Sequence, residues 1–286
     1  MKKIIYFIEF LIICFLFFVF KILGYKLSSN LGFFIGKTFG PLFRSKKLVI
    51  ENLKKSNIQL KKNYNNSANE IFGNYGRIFA EYPFIKNFRK GNLERYIEID
   101  GKKYLDEIKS KNKKVVFISG HFNNFELMAM EIEKSGVDLS AIYRPLNNIF
   151  LNKIMENIRT NYICQKQIKK GRSGTREIIE NLKKGSSIAL MIDQRVREGV
   201  KVNFFGNLAT TTTIPAQLVK KYKCELVPIY IERRSKFHFK MYVSKPIKVG
   251  ENKTVDEITE FLNTVLEKMI LKNPLQWIWT HDRWKK

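Results

Sequence analysis

The chain has 286 residues, of which 44% are hydrophobic and 13% aromatic, and it carries 52 Lys plus Arg against 26 Asp plus Glu, a net charge of +26. This length and apolar content support one substantial core and exclude a disordered chain. The charge points to an anionic partner such as nucleic acid, an acidic membrane surface, a phosphorylated lipid or an acidic protein. Cys14, Cys164 and Cys224 are isolated from one another, without metal-ligand or disulfide spacing, and read as small apolar residues in a reducing compartment.

The first predicted element is apolar. Residues 4–20 are nearly all Ile, Leu, Phe and Val, interrupted by Tyr6, Glu9 and Cys14. As a helix they would cover roughly 26 Å, near the minimum for a bilayer core. A carboxylate at the bilayer centre costs about 2.5–3.5 kcal/mol, but Glu9 lies near one end and reaches the interface or Lys2 and Lys3. No small-residue cleavage site follows, so residues 1–22 read as a membrane anchor rather than a cleaved signal. Lys21, Lys26, Lys37, Arg44, Lys46 and Lys47 make the distal flank the more basic one, which places the body in the cytoplasm. Residues 27–43, broken by Gly32, Gly36, Gly40 and Pro41, read either as an amphipathic element lying on the membrane or as a helix packed on the body. Residues 23–90 are taken as a helical membrane-associated segment and 91–286 as an α/β domain.

Residues 48–86 look helical, with Ile71, Phe72, Tyr75, Ile78, Phe79 and Tyr82 forming a packing stripe. A short strand at 96–99 follows. Strands and helices then alternate: strand 115–119, helix 124–135, strand 138–143, helix 149–160, a short strand near Ile163, helix 175–184, and strand 187–192 ending at Asp193. Residues 200–205 turn at Gly206 as a hairpin. The threonine run 210–213 begins a helix with Pro215 in its first turn. Strands 225–232 and 237–243 precede helix 255–271. The expected class is α/β, a largely parallel sheet flanked by helices, with an N-terminal transmembrane or membrane-embedded helix.

The chemistry concentrates in His121-Phe122-Asn123-Asn124-Phe125-Glu126, directly after an apolar strand and Gly120. Open α/β sheets present their ligands at this carboxyl edge, and a base held by an acid activates a hydroxyl for acyl transfer. Glu126 has two readings. With Asn123 as N-cap it is a capping-box carboxylate; folded back, it orients His121 and stabilises its imidazolium. Arg144 follows the next strand, suited to a phosphate or to a structural ion pair. Asp193 ends another apolar strand on the same edge, either capping its turn or pairing with Arg144. Arg172 lies in a Gly-rich basic loop that opens a helix, a candidate anion site. Trp277, Trp279 and Trp284, with His281 and Arg283, read as an interfacial belt or as packing. No Walker loop, Gly-x-Gly-x-x-Gly or His-Glu-x-x-His motif occurs, and neither a metal nor a cofactor is expected.

The ordered set Ser119-Gly120-His121-Phe122-Asn123-Asn124-Phe125-Glu126, Tyr143-Arg144-Pro145-Leu146-Asn147-Asn148, Asp193-Gln194, Phe204-Phe205-Gly206 with the threonine run and Pro215, Val227-Pro228, and the segment 274–284 resembles the late acyltransferases of lipid A biosynthesis, the lauroyl/myristoyl transferase family. The resemblance covers nearly the whole chain. It implies an O-acyltransferase of the bacterial inner membrane with its catalytic body facing the cytoplasm. It also implies transfer of a fatty acyl chain from acyl carrier protein to a hydroxyl of a Kdo-lipid A precursor, beside anionic membrane lipid and with no nucleic-acid partner. By the same resemblance His121 and Glu126 are catalytic, Arg144 handles phosphate, and Asp193 is the strand-end acid; Arg144, Asp193 and Arg172 are taken as substrate-binding. One departure is Asn123-Asn124-Phe125, where family members often have Gly-Asn-Trp within the His motif. In the expected mechanism Glu126 fixes the His121 tautomer, and backbone N–H groups near the turn or Arg144 receive the oxyanion. The alternatives are another acceptor, such as a lysophospholipid or a phosphatidylinositol mannoside, and a non-catalytic basic membrane- or nucleic-acid-binding module.

Overall fold

The apolar N-terminal run and the segment after it form a single bent helical element, α1 (Lys2–Phe43), in a computed structural model that describes residues 2–285 and, of Arg172, the backbone alone. The bend is at Gly24, whose φ of 74° and ψ of 167° no helical residue has and which glycine adopts without a Cβ penalty. Beyond it α1 crosses α3 (Tyr64–Glu81), separated from it in the chain by α2 (Lys46–Lys55). The crossing is made of glycines: a Cβ on Gly76 would strike the carbonyl oxygen of Gly32, and one on Gly36 would strike that of Phe72. Bare backbones can approach where side chains would hold them apart. Residues 27–43 are therefore a helix packed on the body, and its outer face stays apolar, with Leu27, Phe34, Leu42 and Phe43 exposed. By length and composition α1 could cross a membrane. The stripe on α3 is core, with Ile71 and Phe72 buried.

After the short helix α4 (Ile85–Arg89) the α/β part begins with β1 (Ile97–Asp100) and α5 (Lys102–Ser110). β2 (Val115–Ser119), α6 (Glu126–Lys134), β3 (Leu139–Tyr143), α7 (Ile149–Ile158), β4 (Lys166–Lys169), α8 (Arg172–Lys183) and β5 (Ser187–Met191) follow. The hairpin β6 (Val200–Phe204) and β7 (Asn207–Thr211), then α9 (Ile214–Tyr222), β8 (Glu225–Arg233), β9 (Phe239–Val243) and α10 (Val255–Lys272) complete the order. Among the described residues the main sheet runs β1-β9-β8-β2-β5-β3-β4. β8, β2, β5, β3 and β4 are parallel; β9 runs against β8, and β1 runs with β9. Every residue of β2 is buried, as expected for a central strand covered on both faces. α1–α4 share one continuous hydrophobic core with the sheet.

Three local readings are corrected, and one helix, α5, is not read from the sequence. No strand forms at Ile163, which closes a π-helical turn (Arg159–Ile163) extending α7; the edge strand lies at Lys166–Lys169. Thr210 and Thr211 pair with Lys201 and Val200 in the hairpin, so the helix begins only at Ile214. α6 begins at Glu126 rather than 124, because Asn123 sits in the left-handed region with φ 43°. α5 buries only Leu105 and Ile108 among lysines and acids, too thin a stripe to stand out in the sequence.

Candidate active site

The site follows from strand order. β2 and β5 are neighbours, with Ser119 opposite Met191, and the Ile192 N–H continues the ladder to the Ser119 carbonyl. Two residues past that pair stand His121 and Asp193, which therefore meet. His121 Nδ1 lies 2.8 Å from Asp193 Oδ1, and the His121 backbone N–H donates to Oδ2 at 2.6 Å. The indole Nε1 of Trp277 donates to the same oxygen at 2.9 Å. Asp193 is fully buried. Burial alone would raise its carboxyl pKa, but the facing histidine and these hydrogen bonds hold it below the usual carboxylate range. For His121 burial works downward, and the Asp193 charge overcomes it, so the imidazole titrates above its ordinary value. With Nδ1 committed to Asp193, Nε2 is the nitrogen free to take a proton. The Phe125 ring packs edge-on against the imidazole, 4.8 Å between centroids.

His121 opens onto a cavity of about 280 Å³ that Tyr75, Phe79, Tyr82, Glu126, Met155 and Arg159 also line. Glu126 does not hold His121. Its Oε1 accepts from Arg159 Nε at 2.9 Å and Nη2 at 2.6 Å, and the Tyr82 hydroxyl reaches it at 3.5 Å. The contact to the imidazole expected of Glu126 is made by Asp193 instead, and Glu126 pairs with an arginine in the cavity. Nor is it a capping-box carboxylate, since α6 starts at Glu126 itself with no side-chain cap. Burial depresses the Arg159 guanidinium, and the Glu126 carboxylate more than restores it. Arg159 stands in the π turn after α7, where the extra residue re-aims the side chain.

Three of the backbone donors at the turn are spent. The N–H groups of His121, Phe122 and Asn123 go to Asp193, the Gly120 carbonyl and the Gln276 carbonyl. Asn123 is fixed by Arg233 Nη2 at 3.0 Å on its Oδ1, and Arg233 is in turn ion-paired to buried Glu81 at 2.8 Å. Asparagine tolerates the left-handed conformation better than most residues, so the turn forms without a glycine.

Arg144 lies outside this cluster. It follows β3, and β5 stands between β3 and β2. Its side chain is exposed, and Asp193 is engaged by His121 and Trp277 instead. Lys170 lies near it: its backbone donates to the Tyr143 carbonyl at 2.8 Å, and its ammonium pKa is lowered by partial desolvation and by the Arg144 charge. Arg172 opens α8 on the same side of the sheet, and its side chain lies outside the described residues. Trp277, Trp279, Trp284 and Arg283 are buried, which makes them packing rather than a belt. Sequence reasoning does not single out Arg159, takes Tyr82 for core and reads Trp277 as belt or packing; only Trp277, four residues before His281 in a motif-like tail, offers a signal.

A histidine–aspartate pair at the carboxyl edge of a parallel sheet, opening on a largely apolar cavity, is an arrangement that can activate a hydroxyl for acyl transfer. The chain belongs to the bacterial lipid A biosynthesis acyltransferase family, whose description matches residues 1–286. It is 24% identical over 222 residues to the lipid A biosynthesis palmitoleoyltransferase of Escherichia coli K12, covering 76% of this chain and 70% of that one. To the lipid A biosynthesis lauroyltransferase of the same strain it is 25% identical over 201 residues, 68% of this chain and 63% of the other. To lipid A biosynthesis acyltransferase 2 of Shigella flexneri it is 21% identical over 186 residues, 63% and 58% of the two chains.

Proposed function

We propose that this protein moves a fatty acyl chain from acyl carrier protein to a hydroxyl of a Kdo-lipid A precursor, at the cytoplasmic face of the bacterial inner membrane. The observation that carries the reading is the 2.8 Å contact between His121 and Asp193 at the mouth of the cavity. The family, the relatives' activities, the apolar α1 and the net charge of +26 all point the same way.

His121 Nε2 takes the proton of the acceptor hydroxyl while Asp193 holds the imidazolium. The hydroxyl oxygen bonds to the thioester carbonyl carbon. The C–S bond then breaks, and the proton passes from Nε2 to the departing thiolate. The oxyanion formed in between needs a donor in the cavity. The amides of His121, Phe122 and Asn123 are engaged, and Arg159, steadied by Glu126, is the cation lining the same cavity as His121. Arg144, Lys170 and Arg172 would meet the phosphates of the acceptor.

The test is transfer in vitro. Membranes containing the protein are supplied with a labelled Kdo-lipid A precursor and a set of acyl carrier thioesters, beside Asp193→Asn. Product from the wild type and a deep loss in the variant support the reading. Product with a lysophospholipid or a phosphatidylinositol mannoside instead would reassign the acceptor. Full activity in Asp193→Asn would remove the dyad from the mechanism.

A further inference from the structure

Resting on the acyl-transfer reading, we infer that the N-terminal membrane helix is itself a wall of the active site: α1 and α7 enclose the groove that receives the acyl chain, and residues of α1 set its length.

The first half of α1 does not leave the body as a free span. Near its start, the Asn148 side chain donates to the Tyr6 carbonyl at 2.8 Å and to Glu9 Oε2 at 3.0 Å. Phe7 and Phe10 pack on Phe150, with centroids 5.5 and 5.9 Å away. At the far end Phe17 and Phe20 pack on Phe79 at 5.2 and 6.1 Å. From Tyr6 to Phe20 is roughly 21 Å of helix. A helix that crossed the bilayer away from the body would touch it at one end only. Contact at both ends lays this segment along the body, and Glu9 receives a partner in place of an interface. The opposite face, with Ile8, Phe15, Phe18 and Ile22 exposed, is left for lipid.

Between α1 and α7 lies a second cavity of about 150 Å³, walled by Ile13, Cys14 and Phe17 on one side and Leu151, Ile154 and Met155 on the other. Phe79, Tyr82 and Met155 line both this cavity and the one at His121. The two cavities therefore adjoin at these three side chains, and a chain whose thioester sits at His121 would pass between them into the groove, beside the lipid-facing helix. The occupant is the hydrocarbon of the donor. Cys14, half-buried, is part of that wall rather than a core filler.

The experiment has two arms in native membranes. Phe7→Cys with Phe150→Cys is oxidised and digested, and a disulfide-linked peptide pair is sought by mass. Cys14→Trp and Ile154→Phe, which fill the groove, are assayed with carrier thioesters of graded length. The expected result is the linked pair, together with at least a tenfold shift of preference toward shorter donors in both filling variants and retained transfer of those donors. Absence of the linked pair, or an unchanged length preference in both variants, overturns the inference. If the wild type transfers no chain from any donor, the acyl-transfer reading has failed. The groove is then judged with a photoreactive fatty acid: label on peptides of both α1 and α7 supports it, and label elsewhere overturns it.

Discussion

At the ends of β2 and β5, half-buried His121 faces Asp193, and Asp193 collects three hydrogen bonds with no exposed surface. At the ends of β3 and β4, on the same edge of the same sheet, Arg144 and Lys170 are exposed cations. The first pair is fixed in geometry and poorly screened, so its field acts on a single proton at a defined atom. The second is exposed to solvent and screened by salt, suited to attracting an anion rather than reorganising bonds. Strand order separates the two: β5 lies between β2 and β3, and the acid it carries goes to the histidine on one side rather than to the arginine on the other.

Breaking the buried pair has the largest expected effect. His121→Ala removes the base and should lower kcat by about 10²–10⁴-fold, with circular dichroism and thermal unfolding checking that the fold survives. Asp193→Asn should cost nearly as much, because the wrong tautomer is then favoured. It also makes a prediction in pH. The base works when neutral, and Asp193 raises the His121 pKa above its ordinary value, so wild-type kcat/KM should fall on the acid side of a limb above 6.5, the ordinary value. Without the Asp193 charge, burial, which lowers the pKa, is the largest influence left on His121, and the limb should move to lower pH. A limb that stays in place would mean that another group titrates there.

The positions of His121, Arg144 and Asp193 at strand ends were legible because apolar runs followed by a turn mark the carboxyl edge. Their partnership was not legible. Which strand lies beside β2 depends on contacts far apart in sequence, and Glu126, five residues from His121, looked closer than Asp193, seventy-two residues away. Once β5 is known to pair with β2, the register alone brings 121 to 193. Arg159 was hidden for a different reason: the π turn that presents it leaves no pattern in composition. The helical face of residues 27–43 was ambiguous because its glycines serve equally well for tight packing on α3 and for an irregular surface segment.

The second carboxylate sharpens the comparison at intermediate strength. Arg159→Ala should lower kcat by about 10²–10³-fold, the usual loss of one oxyanion donor. Arg159→Lys keeps the charge without the fork geometry and should fall between that variant and wild type. Glu126→Gln leaves the arginine in place but loosens it, and a loss of about tenfold is expected, well short of Asp193→Asn. Because His121 keeps Asp193 in this variant, the acid limb of the pH profile should move far less than in Asp193→Asn. A shift as large would return Glu126 to the role of orienting acid.

The smallest effect belongs to the exposed edge. Arg144→Ala combined with Lys170→Ala should raise KM for a phosphorylated acceptor by about tenfold, near the lower end for a hydrogen bond to a charged group, and leave kcat within about twofold. Both cations are exposed, so the wild-type KM should itself rise with salt, and the double variant should show a shallower dependence. An acceptor lacking phosphate should not distinguish the two proteins. A fall in kcat instead would mean that this edge reaches the reacting atoms, and the division between a chemical edge and a recognition edge would have to be redrawn around Tyr143, whose ring lies 5.5 Å from the Arg159 guanidinium and so links the two.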